Sequence, residues 1–271
     1  MGTLLEKAQQ EDAKRIKAVL DAATGGLAPG SPERRASYQK TLEDIADAVP
    51  KSEPGRSAQE RSAWDFTAEK AQPVFAECED VIIRPIRIDD ADFYVGIKAQ
   101  YSAMYRRMAQ TGHVGNQCLL RDDLLKPRSF FCVVEIAVDH TPIGYIGIKN
   151  TLDEMWEIAV ELDGKYTRRG YGAKSIRLFL NEIHRITGHE EFRAVVETDN
   201  APSQKCFERL GATLVGIVNG PFLMLEEEKR RFEENNLDLI DDNMRLLAER
   251  LGVEPRKLLS HVLDYRIKCP I

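Results

Sequence analysis

The composition of the chain is that of an ordinary globular protein, with 271 residues of which 43% are hydrophobic and 30% are charged. This length suits one large domain with additions, or two small domains. The net charge of −6 argues against nucleic acid as a partner, because a nucleic-acid coat needs a basic surface. We expect neither a membrane span nor a secretory signal, since no apolar run approaches the roughly 20 residues that cross a bilayer.

The cysteines and histidines are dispersed along the chain. The five cysteines are odd in number and lack Cys-x-x-Cys spacing: Cys78, Cys118, Cys132, Cys206 and Cys269. This usage predicts reduced thiols and a cytoplasmic location rather than a disulfide frame or a zinc site. The five histidines form no cluster either, so no metal is expected.

The chain divides by pattern into three parts. Residues 1–77 contain almost no β-branched runs and predict a helical N-terminal extension, with helices from about Thr3 to Ala22, from Ser31 to near Pro50, and from about Ser57. Residues 78–224 predict the main domain. Residues 225–271 predict a helical insertion followed by a late strand.

The pattern changes at Asp80, where β-rich and helical segments begin to alternate. The predicted strands are Val81–Ile86, Phe130–Val138, Ile143–Lys149, Trp156–Leu162, Phe192–Glu197 and Ala212–Val218. The predicted helices are 89–108, Gln117–Leu125, Lys174–Ile186 and Pro202–Leu210. This order predicts an α/β (α+β) fold with a sheet flanked by helices.

The last 47 residues permit two interpretations. Residues 247–259 resemble the helix-turn-helix pattern of bacterial repressors, with Arg256, Lys257, His261 and Arg266 on the second helix. The alternative is a helical insertion before a last strand within 259–268. We favour the insertion, because the flanking segment Glu226–Asp242 is acidic and would repel phosphate.

The segment from Arg168 to Ala173 is the most informative motif. It joins the predicted strand Trp156–Leu162 to the predicted helix Lys174–Ile186, and Gly170 and Gly172 leave backbone N–H groups uncovered. The positive end of the helix dipole and two arginines would attract a phosphate, and a pyrophosphate in particular. The alternative is a tight turn that needs glycine only for its backbone angles.

The order of motifs from Val81 to Val218 resembles the GNAT family of acetyl-CoA-dependent N-acyltransferases, and within it the bacterial RimJ/RimL-like enzymes. The segments that carry the resemblance are Ile83-Arg84-Pro85-Ile86, Asp89-Asp90-Ala91-Asp92, Pro142–Ile148, Glu157–Leu162, Arg169-Gly170-Tyr171-Gly172-Ala173, Asn200-Ala201-Pro202-Ser203 and Phe207–Ala212. The resemblance implies a mixed, mostly antiparallel sheet flanked by helices.

The resemblance also implies a donor site and acetyl-CoA as co-substrate, with no metal. The pantetheine arm would pair with backbone from Val160 to Leu162, and an N–H near Ile158 or Ala159 would face the thioester carbonyl. The remaining donor-binding residues would be Arg168, Arg169, Gly170, Tyr171, Gly172, Ala173 and Asn200. Two residues depart from the family pattern: Thr167 replaces a Gln or Arg, and Phe207 replaces a tyrosine acid.

Two residues are catalytic candidates. Glu157, on the presumed strand beside the donor, would act as general base, and the alternative is a solvated strand carboxylate. Ser203 would hydrogen-bond the thiolate, and the alternative is a first-turn helix residue satisfying its own backbone. Trp156, Tyr101 and Tyr105 either line an acceptor pocket or belong to the core.

The resemblance therefore implies acetyl transfer to a primary amine of a small molecule, protein or peptide, by direct attack in a ternary complex. The alternative within the same fold is a catalytically weak acyl-CoA sensor or scaffold, which the loss of the tyrosine at Phe207 would suit. The helical extensions offer a contact for a homodimer.

Overall fold

The structure is a computed structural model that describes residues 64–220 and 225–271. Among these residues, 64–220 and 231–271 form one compact unit, and 225–230 belong to a second. The two helices predicted between Thr3 and Pro50 lie outside the described residues, as does the start of the third, and within the described part of the third only Thr67–Lys70 is helical. A first strand pairs at Ala76–Glu77, just before the predicted start of the main domain at residue 78.

The main unit is built on one eight-stranded sheet. Its strands are β1 (Ala76–Glu77), β2 (Val81–Pro85), β3 (Phe130–Ile136), β4 (Pro142–Ile148), β5 (Trp156–Leu162), β6 (Glu191–Val196), β7 (Thr213–Asn219) and β8 (His261–Lys268). Their spatial order is β1-β2-β3-β4-β5-β6-β8-β7. Neighbours are antiparallel except for β5 and β6, which run parallel. The predicted strands are confirmed to within a few residues.

One described helix precedes the first strand, and the others connect the strands along the chain. They are α1 (Thr67–Lys70), α2 (Ala91–Tyr101), α3 (Ala103–Met108), α4 (Gly112–Asp123), α5 (Tyr171–Thr187), α6 (Ala201–Arg209), α7 (Glu226–Asn235) and α8 (Asp242–Leu251). The predicted helix 89–108 is interrupted at Ser102, which is extended and accepts a hydrogen bond from Tyr105 N. A serine in this conformation is a good N-cap, so the chain starts a new helix there.

Each face of the sheet has its own core. On one face, α5 buries Ile176, Phe179 and Ile183 against β-strand residues, because its apolar positions recur at helical spacing. On the other face, α2 and α4 cover the sheet, and Tyr94 and Leu120 are buried there. The segment from Arg168 to Ala173 thus leads into the helix that packs on the first face.

The tail forms an insertion followed by a strand. Helices α7 and α8 lie between β7 and β8 in the chain, and β8 pairs with both β6 and β7. The helix-turn-helix interpretation is wrong, because α8 is followed by a short 3-10 turn, Pro255–Leu259, and not by a second α-helix. His261 and Arg266 lie on β8, whose alternating apolar residues favour a buried strand.

Candidate active site

Strands β5 and β6 separate partway along their length. They pair through Trp156, Glu157 and Ile158 on β5, opposite Phe192, Arg193 and Ala194 on β6. Beyond Ile158, β5 continues for four residues while the ladder with β6 has ended. A cleft therefore opens between the two central strands, along the edge of β5 that no longer pairs with β6.

The hydrogen bonds to β4 define which groups of β5 face this cleft. Glu157 O accepts from Lys149 N at 3.0 Å, and Asp163 N donates to Ile143 O at 2.8 Å. Because a trans peptide holds its C=O and the following N–H in opposite directions, the Leu162 carbonyl points away from β4 and into the cleft.

The same alternation decides which N–H can face a bound thioester. Ala159 N–H points toward β4, since Ala159 is in phase with Glu157 along the antiparallel ladder. The expectation of an N–H at Ala159 is therefore wrong. Ile158 is the last residue paired with β6, so Val160 is the first residue of the cleft whose N–H faces the open side.

The loop before α5 has the backbone of an anion-binding turn. Arg168 has a φ of 61° and Gly170, the N-cap of α5, has a φ of 86°, so two left-handed residues flank Arg169. A non-glycine residue in this region is uncommon and strained. No side chain caps α5, so the N–H groups of its first turn are open to a ligand.

The cations of this loop are at the surface. Arg168 and Arg169 are exposed, and the Arg169 guanidinium lies 5.6 Å from the ring centroid of Tyr166. Lys174, on the next turn of the helix, forms an ion pair with Asp80 instead. The two arginine side chains are thus accessible to solvent just before the first turn of α5.

Glu157 lies at the closed end of the cleft, on the face covered by α2. Its side chain is 18% exposed, and its two carboxylate oxygens meet Lys149 Nζ and, at 3.7 Å, Arg193 Nη1. Arg193 also donates through Nε to Asp264 Oδ1 at 3.0 Å. Arg266 Nη1 binds the same Asp264 oxygen at 2.9 Å. Glu157 is therefore the end of a charged network across β5, β6 and β8.

A second cluster follows Glu157 along the same face. Glu161 accepts from Lys98 Nζ of α2 at 2.8 Å. Asp123 accepts from the hydroxyls of Tyr94 and Tyr105. Burial, the hydrogen bond to Asp123 and its charge together raise the pKa of Tyr105 to about 12. These contacts hold α2, α3 and α4 together beside β5.

The segment after β6 caps its helix. Asn200 is the N-cap of α6, and its Oδ1 accepts from Ser203 N at 3.2 Å. Phe207 is buried and stacks on Tyr265, with ring centroids 6.1 Å apart. Burial raises the pKa of the half-buried Cys206 thiol, which disfavours its thiolate.

The aromatic candidates divide between core and cleft. Trp156 is buried and stacks on His189 with centroids 4.2 Å apart, so it belongs to the core. Tyr101 is 60% exposed, and its hydroxyl donates to Leu162 O at 3.0 Å.

A groove of about 500 Å³ lies outside the cleft and is lined in part by Glu191, Thr213, Val215, Arg266 and Lys268.

Sequence reasoning missed the partners of Glu157. Arg193 and Asp264 are 36 and more residues away from it, and only the strand pairing brings them together. An arginine and an aspartate inside apolar strands were the available signal, since a buried charge needs a partner.

Among residues 64–220 and 225–271, no group of three or more His, Cys, Asp or Glu side chains is arranged to hold a metal. None of the helices there is long and apolar enough to cross a membrane.

Solved structures align with this chain. The structure of RimL, a ribosomal L7/L12 alpha-N-protein acetyltransferase in complex with coenzyme A, aligns with a TM-score of 0.52 at 10% identity, over 73% of this chain and 98% of that chain. RimJ from Mycobacterium smegmatis gives 0.48 at 16%, over 73% and 86%. A variant of spermidine N-acetyltransferase SpeG from Vibrio cholerae gives 0.49 at 13%, over 70% and 95%. At these identities the alignment with RimL shows a common fold.

The sequence itself shows the family. No curated protein sequence matches the chain. The profile of the acetyltransferase (GNAT) domain matches residues 80–213, from the strand before β3 to the start of β7. The matched residues include the cleft between β5 and β6 and the loop before α5. The chain therefore belongs to the GNAT family of N-acetyltransferases.

Proposed function

We propose that the chain transfers an acetyl group from acetyl-CoA to a primary amine of a small molecule, protein or peptide, by direct attack in a ternary complex. The observation that carries this proposal is the end of the β5–β6 ladder at Ile158, together with an uncapped helix N-terminus at which a Cβ on Gly172 would stand 3.6 Å from the Leu162 side chain. The cleft offers backbone hydrogen bonds to an extended arm, and the helix N-terminus offers a site for its phosphates.

The donor site has two parts in this proposal. The pyrophosphate binds the N–H groups of Tyr171, Gly172 and Ala173, with Arg168 and Arg169 beside it. The pantetheine arm runs into the cleft along Val160 and Leu162, whose backbone edges face the open side. Asn200 orders the start of α6, which follows β6, the other strand of the cleft.

The reaction forms one bond and breaks one bond. The amine nitrogen bonds to the acetyl carbon, the carbon–sulfur bond of the thioester breaks, and CoA leaves as a thiolate that takes up a proton. The Val160 N–H is placed to stabilise negative charge on the carbonyl oxygen. Glu157 is the proposed base that takes the proton of the amine, since it lies where the arm of the donor would end.

Two features bear on the proton steps. Lys149 and Arg193 contact the two carboxylate oxygens of Glu157 and orient its side chain. Phe207 has no proton to give and packs on Tyr265, so it does not protonate the thiolate. Ser203, in the first turn of α6, is the proposed hydrogen-bond donor to the leaving sulfur.

A donor-binding protein without turnover is the second candidate, and Phe207 is the observation that favours it. The two candidates differ in one experiment. The purified chain is first melted with and without acetyl-CoA, and ligand at 100 times its Kd should raise the stability by about 2.7 kcal/mol. CoA release is then measured with primary amines and peptide N-termini. Stabilisation with turnover supports transfer, stabilisation alone supports the sensor, and no stabilisation contradicts both.

A further inference from the structure

The hydroxyl of Tyr101 already occupies a backbone group of the cleft. It donates to the Leu162 carbonyl oxygen at 3.0 Å, across 61 residues of sequence. That carbonyl points away from β4, because the next N–H, that of Asp163, is bonded to Ile143 on β4. A side chain from α2 therefore reaches the open backbone edge between β5 and β6.

The end of α2 is held in this place by a second contact. Gln100 Oε1 accepts from Gly164 N at 3.0 Å, in the turn that follows β5. A Cβ on Gly164 would stand 3.3 Å from this amide oxygen and 3.7 Å from the Tyr101 hydroxyl, so the turn and the helix end are closely packed. Two hydrogen bonds thus hold Tyr101 at the cleft: its own to Leu162 O, and that between the neighbouring Gln100 and Gly164 N.

The Tyr101 hydroxyl stays protonated and can therefore donate a hydrogen bond. Burial of the phenol and the nearby charges of Asp163 and Glu161 raise its pKa. A phenol that remains neutral donates to a carbonyl as an amide N–H does. Tyr101 and an amide of an extended ligand would therefore compete for the same acceptor.

We propose that the Tyr101 hydroxyl holds the Leu162 carbonyl that the pantetheine arm of acetyl-CoA uses, so that the donor must displace Tyr101 as it binds. This inference rests on the proposed function, which places the arm along Val160 and Leu162. Helix α2 ends at Tyr101 and the chain is extended at Ser102 before α3 begins. Donor binding thereby frees a side chain at a helix break, on the sheet face that carries Glu157.

Removal of the hydroxyl tests the proposal. If Tyr101 competes with the pantetheine arm, its loss lowers the Kd for acetyl-CoA, whereas if Tyr101 helps to hold the arm, its loss raises that Kd. We expect Tyr101→Phe to lower the Kd of the full-length chain for acetyl-CoA by about three- to tenfold, the effect of one net hydrogen bond. The measurement is a calorimetric titration. Tyr105→Phe is the matched control, since its hydroxyl binds Asp123 outside the cleft, and its Kd should stay that of the unsubstituted chain.

A second ligand locates the effect. The nucleotide half of CoA, 3′-phospho-ADP, contains the phosphates but no pantetheine arm, so Tyr101→Phe should leave its Kd unchanged. An unchanged or higher Kd for acetyl-CoA in Tyr101→Phe overturns the inference, as does an equal gain with 3′-phospho-ADP. If the unsubstituted chain binds no acetyl-CoA, the proposed function fails and the inference fails with it. Binding without a gain in the variant overturns the inference alone.

Discussion

At the scale of single residues, the position of Glu157 beside the end of the β5–β6 ladder is what supports it as the candidate base. It is paired in register with Arg193, one residue before the β5–β6 ladder ends. Lys149 and Arg193 contact its two oxygens, which fixes the carboxylate at the closed end of the cleft. Glu161 lies on the same face of β5 but is tied to Lys98 of α2. The two carboxylates therefore allow a matched comparison.

Replacing Glu157 by glutamine removes the proposed proton acceptor and keeps the shape of the side chain. We expect Glu157→Gln to lower kcat by about 10²- to 10⁴-fold, the usual contribution of a general base, without a change in the Kd for acetyl-CoA. Steady-state kinetics and calorimetry measure the two quantities. Glu161→Gln should lower kcat far less. Equal losses in the two variants would contradict the role of Glu157 as the base.

Arg193 is expected to act only through Glu157. Because it bridges Glu157 and the buried Asp264, its replacement by glutamine should misplace the carboxylate and reduce kcat on the order of tenfold, or about 1.4 kcal/mol. Arg266→Gln is the control, since Arg266 binds the same Asp264 oxygen but not Glu157. In a Glu157→Gln background, Arg193→Gln should have no further effect on kcat. A further tenfold loss of kcat in the double variant would show that Arg193 has a role separate from Glu157.

At the scale of elements, the loop and the first turn of α5 act as one unit. The left-handed conformations of Arg168 and Gly170 turn the chain sharply from β5 into the helix. Backbone strain of this kind persists where the surroundings hold it, and here it lies directly before the open N–H groups of the first turn of α5. Binding of the donor phosphates should therefore depend on the arginines and not on the nearby lysine.

Loss of both arginines tests this unit. Each charge-assisted hydrogen bond is worth about 1.5–3 kcal/mol, so Arg168→Ala combined with Arg169→Ala should raise the Kd for acetyl-CoA by at least about tenfold. Lys174→Ala serves as the control, because its ammonium is paired with Asp80. Calorimetric titrations of the three proteins decide the question. A larger loss from Lys174→Ala would place the phosphates elsewhere on α5.

The elements were largely predictable, whereas the contacts between them were not. The bounds of β5 follow from its alternation of apolar and polar residues, and α5 follows from its apolar stripe. The break at Ser102 was missed because no glycine or proline marks it. The bond from Tyr101 to Leu162 depends on how α2 packs across the sheet, which no local pattern contains.

At the scale of the whole main unit, β8 joins the sheet together. It pairs with β6 through Leu263 and Val196, and with β7 through Leu263 and Ile217. The local pattern of residues 247–259 resembles a helix-turn-helix, and the acidic flanking segment Glu226–Asp242 favours the insertion. Pairing with two strands settles the matter, since a strand buried between neighbours outweighs local preference. The cleft beside β6 therefore depends on a strand that is distant in sequence.

A truncation inside β8 should destabilise the unit far more than one on its exposed neighbour. Leu263 is fully buried, so Leu263→Ala should reduce the free energy of unfolding by about 2–5 kcal/mol through lost burial and a cavity. Val215 on β7 is 53% exposed, and Val215→Ala should change the free energy by no more than about 0.5 kcal/mol. Urea unfolding followed by circular dichroism measures both changes. Similar midpoints for the two variants would mean that β8 is not an integral strand of the sheet, and the cleft would then need another support for β6.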